Sequence, residues 1–276
     1  MSCEGAAGGA SAFFRACGEL IRQAARGARR RWPIYAVGFL AVAALTVLAF
    51  QWDSATDDWV RRGREHWHGA NQLAHYYRWW GRGHDTAALC SLLLVWAAVR
   101  GQWARTAPAL TVGLTAIAGG VALGLRFGRN AGYALVIPGI LLLVVAALRG
   151  ERRWARCALA ALLAALLSGL IVNAVRFSTG RPRPRASDVQ RLQGPTLEAD
   201  HQSFPSGHTA TSTGAAACLL VCAPPLGVVA MVNAVGIGWS SVHSRAHHLS
   251  DVVAGAGVGL LVGLAFGAAA RRMIHP

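Results

Sequence analysis

Three polar stretches interrupt an otherwise apolar chain. The first runs Arg176-Phe177-Ser178-Thr179-Gly180-Arg181-Pro182-Arg183-Pro184-Arg185, the second Ser203-Phe204-Pro205-Ser206-Gly207-His208-Thr209. The third runs from Ser240 to Asp251 and holds Ser241, His243, Arg245, His247, His248 and Ser250. Arginine presents a planar fork of donors that matches phosphate oxygens, so the first stretch suggests an anion site. Pro205-Ser206-Gly207-His208 precedes an apolar run, and we expect it to open a helix with Pro205 in the first turn. Free N–H groups near Ser206 and Gly207 would then face an anion, with the helix dipole favouring negative charge and His208 alongside. His247 and Asp251 are four residues apart and share a face on a helix. A carboxylate that accepts from one imidazole nitrogen leaves the other a better nucleophile or base.

Each stretch has a plainer reading by itself: a basic juxtamembrane loop, a capping histidine, a surface His–Asp pair. Together they supply an arginine clamp, a helix-start cradle, an acid–base histidine and a carboxylate-oriented histidine. That set can transfer a phosphoryl group without a metal, because positioned cations and donors stabilise the charge while two histidines serve as nucleophile and general acid.

The elements that must position these residues are membrane helices. Of the 276 residues, 54% are hydrophobic and only 14% charged, against about a quarter charged in soluble domains. The net charge is +15 and every basic residue is arginine. The arginines fall between apolar runs rather than on one solvated face, which argues against nucleic acid as a partner. Spans of roughly 20 apolar residues are expected at 33–51, 107–125, 131–148, 157–175 and 251–270, with shorter runs at 86–99, 207–223 and 226–241. The expected fold is therefore all-α, a polytopic transmembrane bundle of about eight spans. Pro224-Pro225 separates the last two short runs, since proline cannot continue a helix ladder. Residues 92–105 and 141–156 resemble each other, as a duplicated helical hairpin would.

With eight spans, the basic N-terminus, Arg100, Arg105, the arginines of 149–156 and the tail Arg271-Arg272 share one side. The positive-inside rule makes that side the cytoplasm, so all three polar stretches face outward. The first 32 residues read as a retained basic tail, with an amphipathic helix over 11–26. The outer loop 52–85 is rich in Trp and Tyr and suits headgroup depth. Cys3, Cys17, Cys90, Cys157, Cys218 and Cys222 show no metal or disulfide spacing.

The motifs resemble those of the type 2 phosphatidic acid phosphatase (PAP2) superfamily. Arg176 followed by Arg183-Pro184 fits its first motif with arginine for lysine. Pro205-Ser206-Gly207-His208 fits the second unchanged, and His247 with Asp251 fits the end of the third. The resemblance covers about residues 131–270 and implies a six-helix core plus the duplicated hairpin. The division is then a cytosolic tail over 1–32, a transmembrane region over 33–130, a catalytic membrane domain over 131–270 and a cytosolic tail over 271–276. It implies that His247 attacks phosphorus, Asp251 orients it, and His208 protonates the leaving oxygen. Arg176, Arg183, Ser206 and Gly207 would hold the phosphoryl oxygens. The third motif's arginine is replaced by Ser241, and Arg245 is the expected substitute. His243 and His248 are expected to be wall residues, and Arg181 and Arg185 to meet headgroup or water.

The implied function is a metal-free and cofactor-free phosphoric monoester or diphosphate hydrolase of a bacterial inner membrane, facing the periplasm. Its substrate would be a lipid phosphate, with undecaprenyl pyrophosphate favoured by resemblance. The alternatives are a lipid phosphotransferase with the same residues or a degenerate lipid-phosphate-binding protein. A vanadate haloperoxidase fits poorly with the spans. Oligomeric state is not legible.

Overall fold

The structure is a computed structural model that describes residues 3–80, 112, 115–117, 152–187 and 191–274. The runs at 86–99, 107–125 and 131–148, and the repeat built on them, lie wholly or mostly outside the described residues. The described helices are α1 (Cys3–Arg30), α2 (Trp32–Gly63), α3 (His68–Trp80), α4 (Arg152–Thr179), α5 (Gly207–Cys222), α6 (Pro224–His243) and α7 (Leu249–Ile274). A single 3-10 turn, Ala199–His201, sits in the segment between α4 and α5. No strand occurs among the described residues. The chain is an all-α, multi-pass membrane protein. Among the described residues four helices, Trp32–Gly63, Arg153–Thr179, Pro224–His243 and Leu249–Ile274, are long and apolar enough to cross a membrane.

The boundaries follow from local chemistry. Pro33 stands in the first turn of α2 and Pro224-Pro225 in that of α6, where a missing N–H costs nothing. α7 carries Asp251 in its first turn and Arg271 and Arg272 in its last, matching the helix dipole at both ends. Val228, Val229, Val232 and Val235 of α6 are more than half exposed, as lipid-facing side chains are in an isolated chain.

α5 and α7 pack backbone against backbone. Gly255, Gly259, Gly263 and Gly267 recur every fourth residue on α7. A Cβ at each would overlap a carbonyl of α5 or its cap, at Ser206, Ala210, Gly214 and Cys218 in turn. Small residues at helical spacing permit this approach in membrane bundles. One turn above Gly255 lies Asp251, so the same stripe fixes the start of α5 beside that carboxylate.

The two ends of the bundle differ. At one, Arg156 donates to the Met273 carbonyl, Cys157 Sγ lies 3.5 Å from the Cys222 carbonyl, and the Arg272 guanidinium lies against Gly27. At the other, all three polar stretches meet. The basic tail and the motifs thus occupy opposite ends.

The expected outer loop 52–85 is instead mostly helix. α2 continues twelve residues past Gln51 because neither proline nor glycine interrupts 52–62. Its polar residues find partners, Asp53 inside the bundle and Asp57 with Arg61 at 3.1 Å. The N-terminal helix is also longer than 11–26, spanning Cys3–Arg30, and it buries Leu20 and Ala24 against the core.

Candidate active site

α4 delivers the first cation. Arg176 lies in its last turn, and its Nη2 donates to the Pro205 carbonyl at 3.4 Å. Its guanidinium lies so close to Gly207 that any Cβ there would overlap it. Arg176 Nε is buried with no partner among the described residues. A cation held at the positive end of a helix is unfavourable unless an anion joins it. Gly180, with φ of +56°, then ends α4 and turns the chain inward.

Ser206 is the N-cap of α5, so Pro205 precedes the helix rather than standing in its first turn. Ser206 does not offer its own N–H to an anion, because that group donates to the Asp251 carbonyl at 2.9 Å. Its hydroxyl pairs with Thr209 at 2.9 Å. The N–H groups from Gly207 onward remain at the helix start, and the exposed His208 side chain stands in the same turn.

Arg183 is anchored by carbonyls of three neighbours: Nε to Ala199 at 3.0 Å, Nη1 to Ala246 at 3.2 Å and Nη2 to Gln202 at 3.4 Å. Burial, and then the nearby guanidiniums of Arg185 and Arg176, press its pKa down to about 10. It stays charged at neutral pH, and a bound anion would relieve this crowding of like charge.

His247 is 2% exposed. Its Nδ1 donates to the Ser203 carbonyl at 2.8 Å, which assigns the proton to that nitrogen and leaves Nε2 as the lone-pair face. Asp251 Oδ2 lies 3.6 Å from Nδ1, too far for a hydrogen bond but close enough to favour positive charge on the ring. Burial pushes the imidazole below its ordinary pKa. Asp251 opposes that push, while Arg183 and Arg176 add to it. The imidazole is therefore neutral at pH 7, the state a nucleophile requires. Arg176 and Arg183 thus both bear electrostatically on His247.

Arg245 is not placed to stand in for the missing arginine. Its Nε and Nη2 bind the Asp57 carboxylate of α2 at 2.6 and 3.0 Å, and Nη2 also donates to the Pro184 carbonyl at 2.6 Å. Ser241, in the substituted position, spends its hydroxyl on the Ile237 carbonyl at 2.8 Å.

Arg181 overturns the expectation of headgroup or water contact. It is fully buried, bound to Asp53 at 2.8 Å and Asp251 at 2.6 Å, with its guanidinium 4.4 Å over the Phe50 ring. Arg185 is exposed and pairs with Asp200 at 2.9 Å. His243 is a packing residue: it bonds Asn71 at 2.8 Å and stacks on Trp67 and Trp239. His248 gives its backbone N–H to Asp251 at 2.8 Å and sets Nε2 against the Pro182 carbonyl at 3.2 Å. Sequence reasoning missed Ser203, Ser250 and Asp53. An acid just past an apolar run was the one available signal for Asp53, because ionisable groups in spans are expensive and usually paired.

Among the described residues no cluster of His, Cys, Asp and Glu is placed to hold a metal ion.

Residues 157–273 match the PAP2 superfamily. The lipid A 1-phosphatase of Porphyromonas gingivalis is 32% identical over 117 residues, covering 41% of this chain and 24% of that protein. The lipid A 1-phosphatase of Rhizobium etli is 32% identical over 97 residues, covering 34% of this chain and 42% of that protein. The matched stretch thus spans less than half the length of either curated relative. A solved transmembrane PAP2 type phosphatidylglycerolphosphate phosphatase from Bacillus subtilis is similar at 19% identity, with a TM-score of 0.34, over 67% of this chain and 95% of that one.

Proposed function

We propose, from the match of residues 157–273 to the PAP2 superfamily, that this chain is a membrane lipid phosphatase working through a phosphohistidine on His247. The observation that carries this reading is the buried ring of His247, tethered at Nδ1 by the Ser203 carbonyl, with Arg176 and Arg183 both bearing on it electrostatically. Nε2 attacks phosphorus as the bond to the lipid oxygen breaks, and His208 gives that oxygen a proton. The ring becomes cationic and gains from Asp251. His208, now neutral, takes a proton from water as water attacks phosphorus and frees Nε2. Inorganic phosphate leaves, and both histidines return to their starting states. Arg176, Arg183 and the N–H groups from Gly207 onward hold the phosphoryl oxygens.

The substrate is a lipid phosphate presented at the motif-bearing end of the bundle, which we assign to the periplasmic face of a bacterial inner membrane. The two relatives named lipid A 1-phosphatase support lipid A 1-phosphate as the first candidate to assay, alongside undecaprenyl pyrophosphate. Phosphate release from a panel of lipid phosphates and pyrophosphates, by wild type and His247→Ala, tests the reading. Release that is lost in the variant is expected. Transfer of the phosphoryl group to a second lipid, with no free phosphate, would replace hydrolysis by phosphotransfer.

A further inference from the structure

Behind Asp251 lies a buried chain of charges that the family-matched segment does not complete by itself. Asp53 on α2 is 1% exposed, and Arg181 and Asp251 are fully buried. Asp53 Oδ2 accepts from Arg181 at 2.8 Å and from the Ser250 hydroxyl at 2.6 Å, and Oδ1 accepts the Ser250 N–H at 2.9 Å. Arg181 Nη1 donates to Ser250 Oγ at 2.7 Å and to Asp251 Oδ1 at 2.6 Å. The other Asp251 oxygen, Oδ2, accepts from the Ser203 hydroxyl and the His248 N–H. Both Asp251 oxygens are thereby fixed.

Burying two carboxylates and a guanidinium is costly, and apolar packing of the same volume would join α2 to α7 at least as well. The placement has a different logic. Arg181 alone would neutralise Asp251 and remove the field that favours a cationic His247. Asp53 offsets Arg181, so the three groups keep a net charge of about −1 behind the imidazole. Asp53 lies 197 residues before Ser250, outside residues 157–273.

We propose that Asp53 and Arg181 are positioning residues, acting through Asp251 to set the place and charge of the His247 ring. The proposal rests on the phosphatase reading for its consequence in turnover. The charged and titratable groups bearing on His247 are Asp251 of α7, Arg176 of α4 and Arg183 of the following segment, with Arg181 and the adjacent His248 held against Asp251.

The test uses the full chain in detergent or lipid, with Asp53→Asn, Arg181→Met and Arg181→Lys. Two quantities are read: the kinetics of phosphate release, and the titration of His247 followed by NMR of its ring nitrogens. Asp53→Asn removes one negative charge, so the His247 titration and the acid limb of kcat/KM move to lower pH. Its kcat falls about a hundredfold while KM stays within about threefold. Arg181→Met removes one positive charge, so the same limb moves to higher pH. Arg181→Lys restores part of kcat. A strut without electrostatic purpose would give no shift, or shifts of the same sign in both variants, and either result overturns the proposal. Asp53→Asn is nearly isosteric and decides the question even where Arg181→Met fails to fold. No phosphate release by wild type would sink the phosphatase reading, whereas an unmoved His247 titration in Asp53→Asn sinks this one.

Discussion

The backbone N–H of Ser206 donates to the backbone carbonyl of Asp251 at 2.9 Å, tying the start of α5 to the carboxylate residue beside His247. One turn further along α7, Gly255 brings the two backbones into direct contact at Ser206. A Gly255→Ala substitution must therefore push α5 from α7. Overpacking of this kind costs about 1–3 kcal/mol, and we expect a lower thermal midpoint together with a lost fraction of activity. Gly18→Ala in α1, where a Cβ meets nothing within 4 Å, serves as the control and lowers neither. Thermal unfolding in detergent reads the difference.

The two arginines of the first stretch should separate cleanly. Arg183 is anchored by carbonyls and coupled to Arg176 and His247, whereas Arg185 is exposed in a pair with Asp200. Arg183→Ala is expected to lower kcat/KM by about 10²–10³-fold, the loss typical of one transition-state donor. Arg185→Ala changes it by less than about threefold, since exposed pairs contribute little. Steady-state kinetics on one lipid phosphate suffice.

Arg245 should behave as a brace rather than a phosphate ligand. Its fork holds Asp57, so Arg245→Ala and Asp57→Asn are expected to destabilise the protein by similar amounts and to be non-additive. Coupling between contacting residues is about 0.5–3 kcal/mol. A double-mutant cycle on thermal stability checks this. A large rise in KM for Arg245→Ala, with stability intact, would return Arg245 to the phosphate site.

pH dependence follows from the direction of the His247 shift. The folded imidazole has a lowered pKa because it is buried, so at a pH just below about 6.5 the unfolded chain binds the extra proton and the folded chain does not. This contribution to stability is full above that pH and is lost as pH falls toward the folded value. The neutral ring is also the proposed nucleophile, so the acid limb of kcat/KM should lie below the ordinary histidine range. A pH–rate profile with its limb above 6.5 contradicts the assignment.

Much of the site was legible because its parts are short-range. Pro205-Ser206-Gly207-His208 marks a helix start, and the spacing of His247 and Asp251 marks them as neighbours, although His247 precedes α7 rather than sharing a helix face with Asp251, and its Nδ1 meets the Ser203 carbonyl instead. The tail Arg271-Arg272 and the motifs fall at opposite ends, as loop charge indicated. What stayed hidden depends on pairing across the chain. Arg181 meets Asp53 over 128 residues, and Arg245 meets Asp57 over 188. Neither partner can be chosen from sequence, because both acids lie where the apolar run of α2 has ended and read as loop. For the same reason Arg181 passed for a solvent contact and Arg245 for a ligand. The N–H of Ser206 was assigned to an anion because its competitor, the Asp251 carbonyl, belongs to another helix.

The most direct measurement is rapid acid-free quenching of wild type turning over a ³²P-labelled lipid phosphate, followed by peptide mapping of protein-bound label. The account predicts acid-labile, base-stable phosphate on the peptide bearing His247, absent from His247→Ala. Turnover with no protein-bound phosphate, or label on another side chain, would contradict the phosphohistidine and leave direct attack by water or a different nucleophile.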